Sequence, residues 1–389
     1  MLQKVSIQNF KSLKDVTLEL QKVNLLIGPN NSGKSNFLKA LEFIKCLSLK
    51  EIENNYLKTI SKKSDFFGKI QINKMSFGCI LTNEDKEYNM LVGIEDGKYE
   101  SYNVDRYETL SGIHLSDVET QMFWLVDYVN NIPRRSMTMD GIPIQYLFKG
   151  FFNNVSIYKP DPNKLQKSFP IIPNQSLVNS DTSNLIAFFD TLRDEYPENF
   201  KSIENDLNKC IPELIGLRFE NVEVTKEDDL FKIYGDKTFK RLGLYDNVNN
   251  ITYWADELSE GTLYFLALLC IVHQPNPPKL LLLEEPEKGI HPRRIHEVMK
   301  FIFQLAEDKD IQVIMTSHNE HVLEEFRLIP EAVFIFDKDD EGATFVKNLQ
   351  KDVIEPDTEK AIELGIEPID YTDRIGENWF MGLMGGVPA

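Results

Sequence analysis

The stretch Gly28-Pro29-Asn30-Asn31-Ser32-Gly33-Lys34-Ser35, GPNNSGKS, sets two glycines five positions apart and follows the second with a lysine and a hydroxyl. The residues before it, VNLLI, form an apolar run of the length of a buried strand. The residues after it, SNFLKALEFIKCL, place Phe37, Leu41 and Ile44 at helical spacing. Strand, glycine turn and helix in this order form a loop whose backbone N–H groups close around phosphate oxygens, with the positive end of the helix dipole behind them. Gly28 and Gly33 permit the tight turn, and Pro29, Asn30, Asn31 and Ser32 span it. Lys34 neutralises charge between outer phosphates, and Ser35 offers a hydroxyl to Mg²⁺. The correct flanks on both sides argue against a chance glycine turn.

Further along, LLLLEEPEKGIHP (280–292) carries four leucines into Glu284 and Glu285. Carboxylates at the C-terminal end of a buried strand lie where open α/β sheets bind ligands. Glu284 is the candidate Mg²⁺ carboxylate, and Glu285 the candidate base that orients or deprotonates an attacking water. In isolation the pair would read equally well as solvated strand-end residues. A second buried strand, IQVIMTSH, ends at His318. Between it and Glu285 lies a helical segment with Ile295, Val298, Met299, Ile302 and Leu305 on one face. His318 either senses an outer phosphate or caps the helix that begins NEHVLEEF. His114, His273, His291, His296 and His321 have no comparable placement and read as structural.

ELSEGT (257–262) precedes the apolar helical run LYFLALLCIV. Ser259 is an N-cap residue type, the helix behind it directs its dipole at an anion, and Gly261 allows close backbone approach. The same residues also suit an ordinary helix start.

The order IQNFKSLKD, GPNNSGKSN, ELSEGT, LLLEEPEKGIHP, TSHNE resembles the ABC-type ATPase superfamily, and within it the soluble RecF/SMC-like and OLD-like ATP-binding proteins. The resemblance implies an α/β fold: a P-loop head on a mixed sheet, with a helical and β insertion between the phosphate loop and the signature. It implies ATP and Mg²⁺ as ligands, with Asn36 extending the loop contacts and Lys11 approaching the nucleotide; for Lys11 a solvated lysine is the competing account. ELSEGT corresponds to the family's signature, so Ser259 and Gly261 would touch ATP held by a second copy in a head-to-head homodimer. The family's glutamine loop is left open among Gln71, Gln145, Gln166 and Gln175. The expected organisation is a first head segment 1–155, an insertion 156–250, a second head segment 251–345 and a C-terminal extension 346–389.

Composition narrows the function. The net charge of −18, from 43 basic and 61 acidic residues, disfavours non-specific nucleic-acid binding unless positive charge is clustered. Residues 45–74 hold seven lysines against three acids, either a DNA-facing patch or a solvated face. Four scattered cysteines without CxxC spacing fit a reducing cytoplasm. No run approaches the ~20 apolar residues of a membrane span, and the N-terminus lacks a signal-peptide core. The stretch between Lys34 and Ser259 is far longer than a compact transporter head needs. The sequence after His318 is shorter than the TOPRIM nuclease of the OLD family requires, and FIFDKDDEG (334–342) reads as a strand with an Asp-rich turn rather than a metal site. Relatives of this shape imply a prokaryotic anti-phage module in which the ATPase controls a separately encoded effector such as a nuclease; a RecF/SMC-like DNA-repair ATPase is the alternative. The tail WFMGLMGGVP either docks on a neighbour or packs on its own domain.

Overall fold

The computed structural model describes residues 1–49, 74–83, 86–95, 144–288 and 290–387. The lysine-rich segment 50–73, Gln71 and His114 lie outside them. In chain order the strands are β1 (Leu2–Phe10), β2 (Leu13–Glu19), β3 (Val23–Ile27), β4 (Lys74–Asn83), β5 (Lys86–Glu95), β6 (Ile157–Tyr158), β7 (Phe169–Pro170), β8 (Leu214–Val222), β9 (Phe239–Asp246), β10 (Ile251–Trp254), β11 (Leu280–Glu284), β12 (Gln312–Thr316), β13 (Val333–Lys338) and β14 (Thr344–Asn348). The chain divides into one unit of residues 1–155, 279–282 and 306–389 and another of residues 156–278 and 283–305.

The first unit is built on a mixed sheet in the order β5-β4-β1-β2-β14-β13-β3-β12-β11. The alternating N-terminal sequence forms the β1–β2 hairpin, antiparallel from Lys4 opposite Glu19 to Phe10 opposite Leu13. Only Lys11 and Ser12 turn the chain, with Asn9 and Lys11 both at positive φ (60° and 53°). β3 pairs in parallel with β12 on one side and β13 on the other. All five of its residues are buried, which is why this strand reads as a continuous apolar run with no alternation. The helix Lys34–Leu49 then packs back on the sheet: Phe37 stands edge-on to Phe336 at 6.0 Å, and Phe43 meets Phe10 at 5.9 Å and Phe77 at 5.0 Å. These aromatic contacts, buried with Leu41 and Ile44, fix the direction in which the helix N-terminus points.

FIFDKDDEG forms the end of β13 and an Asp-rich turn. Asp339 accepts backbone N–H bonds from Glu341 (3.0 Å) and Ala343 (2.8 Å), so its carboxylate serves the turn. The tail packs on its own unit: Trp379 is 1% exposed and its indole donates to the Gly386 carbonyl at 3.0 Å. Phe380, Met381 and Leu383 remain exposed.

The second unit carries an antiparallel sheet in which β9 pairs with β7, β8 and β10. Two helices follow one another closely here, Leu185–Glu195 and Pro197–Cys210. Pro197, which has no N–H and a fixed φ, starts the second helix and ends the first. The helix Glu260–Val272 has eleven of its thirteen residues buried, so it is apolar on every face. Pro292 opens the next helix, where Ile295, Val298, Met299, Ile302 and Leu305 are all buried as their spacing predicts. Cys79 and Cys270 are buried free thiols whose pKa burial pushes up, and Cys210 is also free. Among the described residues no helix is long and apolar enough to cross a membrane.

Candidate nucleotide site

In the first unit the loop after β3 is braced from behind by β13 and β14, strands that come from the far end of the chain. Gly28 has φ +140°, and a Cβ there would stand 2.1 Å from the Phe336 carbonyl oxygen. Gly33 has φ +112°, and its Cβ would stand 2.2 Å from Thr344 Oγ1. Both positions therefore require glycine on steric and conformational grounds. Thr344, 3% exposed, donates its hydroxyl to the Ser32 carbonyl at 2.8 Å. Ser12 Oγ lies 2.7 Å from the same threonine oxygen and accepts from Asn36 Nδ2 at 2.9 Å. The turn that presents Lys11 is thereby tied to the first turn of the loop's helix. Lys11 itself stands over the Phe10 ring at 5.5 Å.

Lys34 is 5% exposed and its ammonium donates to the carbonyls of Gly28 and Pro29, each at 2.8 Å. The charge is held within the loop rather than in solvent, so an anion bound there meets a pre-positioned cation. Pro29, Asn30 and Asn31 form the outer part of the turn; Asn30 and Asn31 are exposed, with Asn31 left-handed at φ +65°, and Ser32 N donates to Pro29 O at 3.3 Å. His318 leaves the end of β12, next to β3: Thr316 is in register with Leu26, and Ser317 N donates to Leu26 O at 3.0 Å. The structure thus brings the loop, Lys11 and the His318 strand end together in one unit.

In the second unit Glu284 ends β11 and Glu285 adopts φ +50°, a left-handed conformation that costs a β-carbon-bearing residue about 1–2 kcal/mol. Lys159 Nζ lies 3.5 Å from Glu284 and 3.9 Å from Glu285, and Lys288 Nζ lies 3.7 Å from Glu285. Ser259 caps its helix with extended geometry (φ −67°, ψ 147°) and accepts from Thr262 N at 3.1 Å. Among the described residues, a Cβ on Gly261 would meet nothing closer than Ser259 Oγ at 3.8 Å and Arg294 Cδ at 4.0 Å. Unlike Gly28 and Gly33, this glycine is not demanded by the residues around it. Behind it, burial raises the Tyr264 phenol well above its usual pKa, and the charge of Glu287 adds to that.

Ser35 in the first unit and Glu284 in the second are each, taken by itself, a hard oxygen donor of the kind Mg²⁺ accepts. Among the described residues no group of three His, Cys, Asp or Glu forms an all-protein metal cage. Sequence reasoning did not single out Ser12, Thr344, Lys159 or Arg294, because each reaches its place through tertiary structure. Only Ser12 carried a local signal, as the second residue of a two-residue hairpin turn. Of the glutamine candidates, Gln145 falls in the helix Ile144–Phe152, Gln166 caps the helix Pro162–Leu165, and Gln175 Oε1 accepts from Asn184 Nδ2 at 3.1 Å.

Residues 23–324 match the family described as "AAA domain, putative AbiEii toxin, Type IV TA system". The chain belongs to this AAA ATPase family. It is also 24% identical over 372 residues to an ATP/GTP phosphatase of Helicobacter pylori, covering 83% of this chain and 87% of that protein. It is 21% identical over 340 residues to an OLD nuclease of Thermus scotoductus, covering 82% of this chain and 59% of the nuclease. The SMC head domain from Thermotoga maritima has the same fold, with a TM-score of 0.50 at 13% identity over 89% of this chain and 98% of that one. This ATPase therefore has an SMC-head-like P-loop fold, the α/β architecture with a large mixed sheet expected from its motifs.

Proposed function

We propose that the protein is an ATP-driven switch that dimerises head to head around ATP and controls a separately encoded effector, a nuclease or similar enzyme, in prokaryotic anti-phage defence within the cytoplasm. The observation that carries the dimer is Gly261: a capped, buried helix presents a glycine next to Ser259, and no described neighbour in its own chain requires that glycine. The N-terminal end of that helix would face a phosphate of ATP held by a second copy.

In this reading Gly28–Asn36 bind the nucleotide and Lys34 contacts the outer phosphates. Ser35 and Glu284 hold Mg²⁺, which when bound neutralises charge developing on the phosphate oxygens. Glu285 takes the proton of the attacking water as its oxygen bonds to the γ-phosphorus and the bond to ADP breaks. His318 and Lys11 flank the same phosphates, and Ser259 and Gly261 of the second copy close the site. ATP favours the dimer, hydrolysis releases it, and the effector responds to the difference. The family's toxin–antitoxin description and the nuclease relative support a defence role, and the acidic charge supports a protein rather than a nucleic acid as partner.

The test is light scattering of Glu285→Gln with and without ATP and Mg²⁺, with the DNA affinity of the same samples measured across a salt series. ATP-dependent doubling of mass is expected. A monomer at saturating ATP would remove the dimer switch, and tight, salt-sensitive DNA binding would transfer the reading to DNA repair.

A further inference from the structure

Adjacent ionised carboxylates repel each other unless a cation answers them. For Glu284 and Glu285 that cation comes from well upstream in the chain, where Lys159 approaches both. Its backbone is held firmly. Lys159 N donates to the Ser180 carbonyl at 2.7 Å, Tyr158 before it is 3% exposed, and Pro160 after it is buried. Gln274, 1% exposed, donates to the Tyr158 hydroxyl at 3.3 Å. The root of the lysine is thus fixed while the ammonium, at 45% side-chain exposure, keeps a path to solvent. Glu285 has a second cation in Lys288.

We propose that Lys159 is a positioning residue that competes with the divalent metal: its ammonium occupies the cation position on Glu284, and metal loading displaces it while Glu285 stays paired through Lys288. The proposal rests on Glu284 being the metal carboxylate. Lys159 then sets how much Mg²⁺ the protein needs. A lysine that merely solubilises the surface would not.

The probe is Mn²⁺ titrated into the full chain with a non-hydrolysable ATP analogue, free Mn²⁺ being followed by its paramagnetic resonance signal. Lys159→Met should lower the Mn²⁺ midpoint about two- to five-fold at low salt, the range set by a partly exposed ion pair, and the gap should narrow as salt is raised. Lys159→Gln should behave likewise and carries the test if the methionine variant does not fold. Lys159→Arg, which keeps the charge, should stay near the wild-type midpoint. Glu284→Gln separates the two ways of failing. If it raises the midpoint while both neutral lysine variants match wild type, the lysine proposal falls and the metal assignment stands. If Glu284→Gln also leaves the midpoint unchanged, Glu284 is not the metal ligand and the site reading beneath the proposal fails.

Discussion

Replacing glycine by alanine at positions 28 and 261 adds the same methyl group and should have opposite effects. At Gly28 the new Cβ would sit 2.1 Å from the Phe336 carbonyl oxygen. That oxygen belongs to β13, which is in register with Val346 of β14 at this residue and with Ile27 of β3 one residue earlier, so the backbone has no free direction in which to yield. The φ of +140° adds conformational strain of about 1–3 kcal/mol. Forcing β3 and β13 apart adds about 1–3 kcal/mol more, as overpacking does elsewhere. A total of about 2–6 kcal/mol corresponds to a fall of roughly 4–24 °C in the melting temperature of a unit this size. At Gly261 the nearest atoms are 3.8 and 4.0 Å away, and alanine is the better helix former by up to about 1 kcal/mol. Stability should be unchanged or slightly raised. ATP-dependent dimerisation, however, should be lost, because the methyl stands where a phosphate must approach the backbone. Thermal unfolding, nucleotide binding to the monomer and light scattering together measure both variants. A Gly28→Ala protein melting at the wild-type temperature would refute the account of the loop's back wall. A Gly261→Ala protein that dimerises on ATP like wild type would refute the role given to the glycine.

Lys34→Ala should abolish nucleotide binding in an equilibrium titration while the fold, judged by circular dichroism, is retained. Ser259→Arg should bind ATP as a monomer with nearly wild-type affinity yet neither dimerise nor turn over, as sizing and phosphate release would report; loss of monomer ATP binding would return the segment to a purely structural role. Thr344→Val should cost about 1–2 kcal/mol of stability by leaving the buried Ser32 carbonyl without its donor, and should weaken nucleotide binding although residue 344 lies far along the chain from the loop.

Much of the fold was legible because local pattern and tertiary environment agree. β3 is buried on both faces and its sequence is uniformly apolar; the β1–β2 hairpin alternates; the helix after the loop repeats its aromatic and aliphatic residues at the spacing that meets Phe336, Phe10 and Phe77. The motif residues also lie at the ends of the elements assigned to them. The supports of those residues were not legible. Thr344 reaches Gly33 only because β13 and β14 come back beside β3. Lys159 sits among prolines and asparagines with no periodicity, and its meaning appears only when Ser180 and Tyr158 direct it at Glu284 and Glu285. The break at Pro197 was visible as a proline, but a proline can kink a helix or start one, and here it starts one.

The position of β3 between β12 and β13 bears on how the protein is made. On the ribosome the loop GPNNSGKS emerges well before its two flanking strands and the threonine that closes its back wall. The β1–β2 hairpin can form as soon as it leaves the exit tunnel, whereas the phosphate loop rests on long-range pairings that must wait for β12, β13 and β14. A truncated or stalled product thus carries the whole phosphate-loop sequence without a competent loop, so nucleotide binding reports completion of synthesis through Thr344.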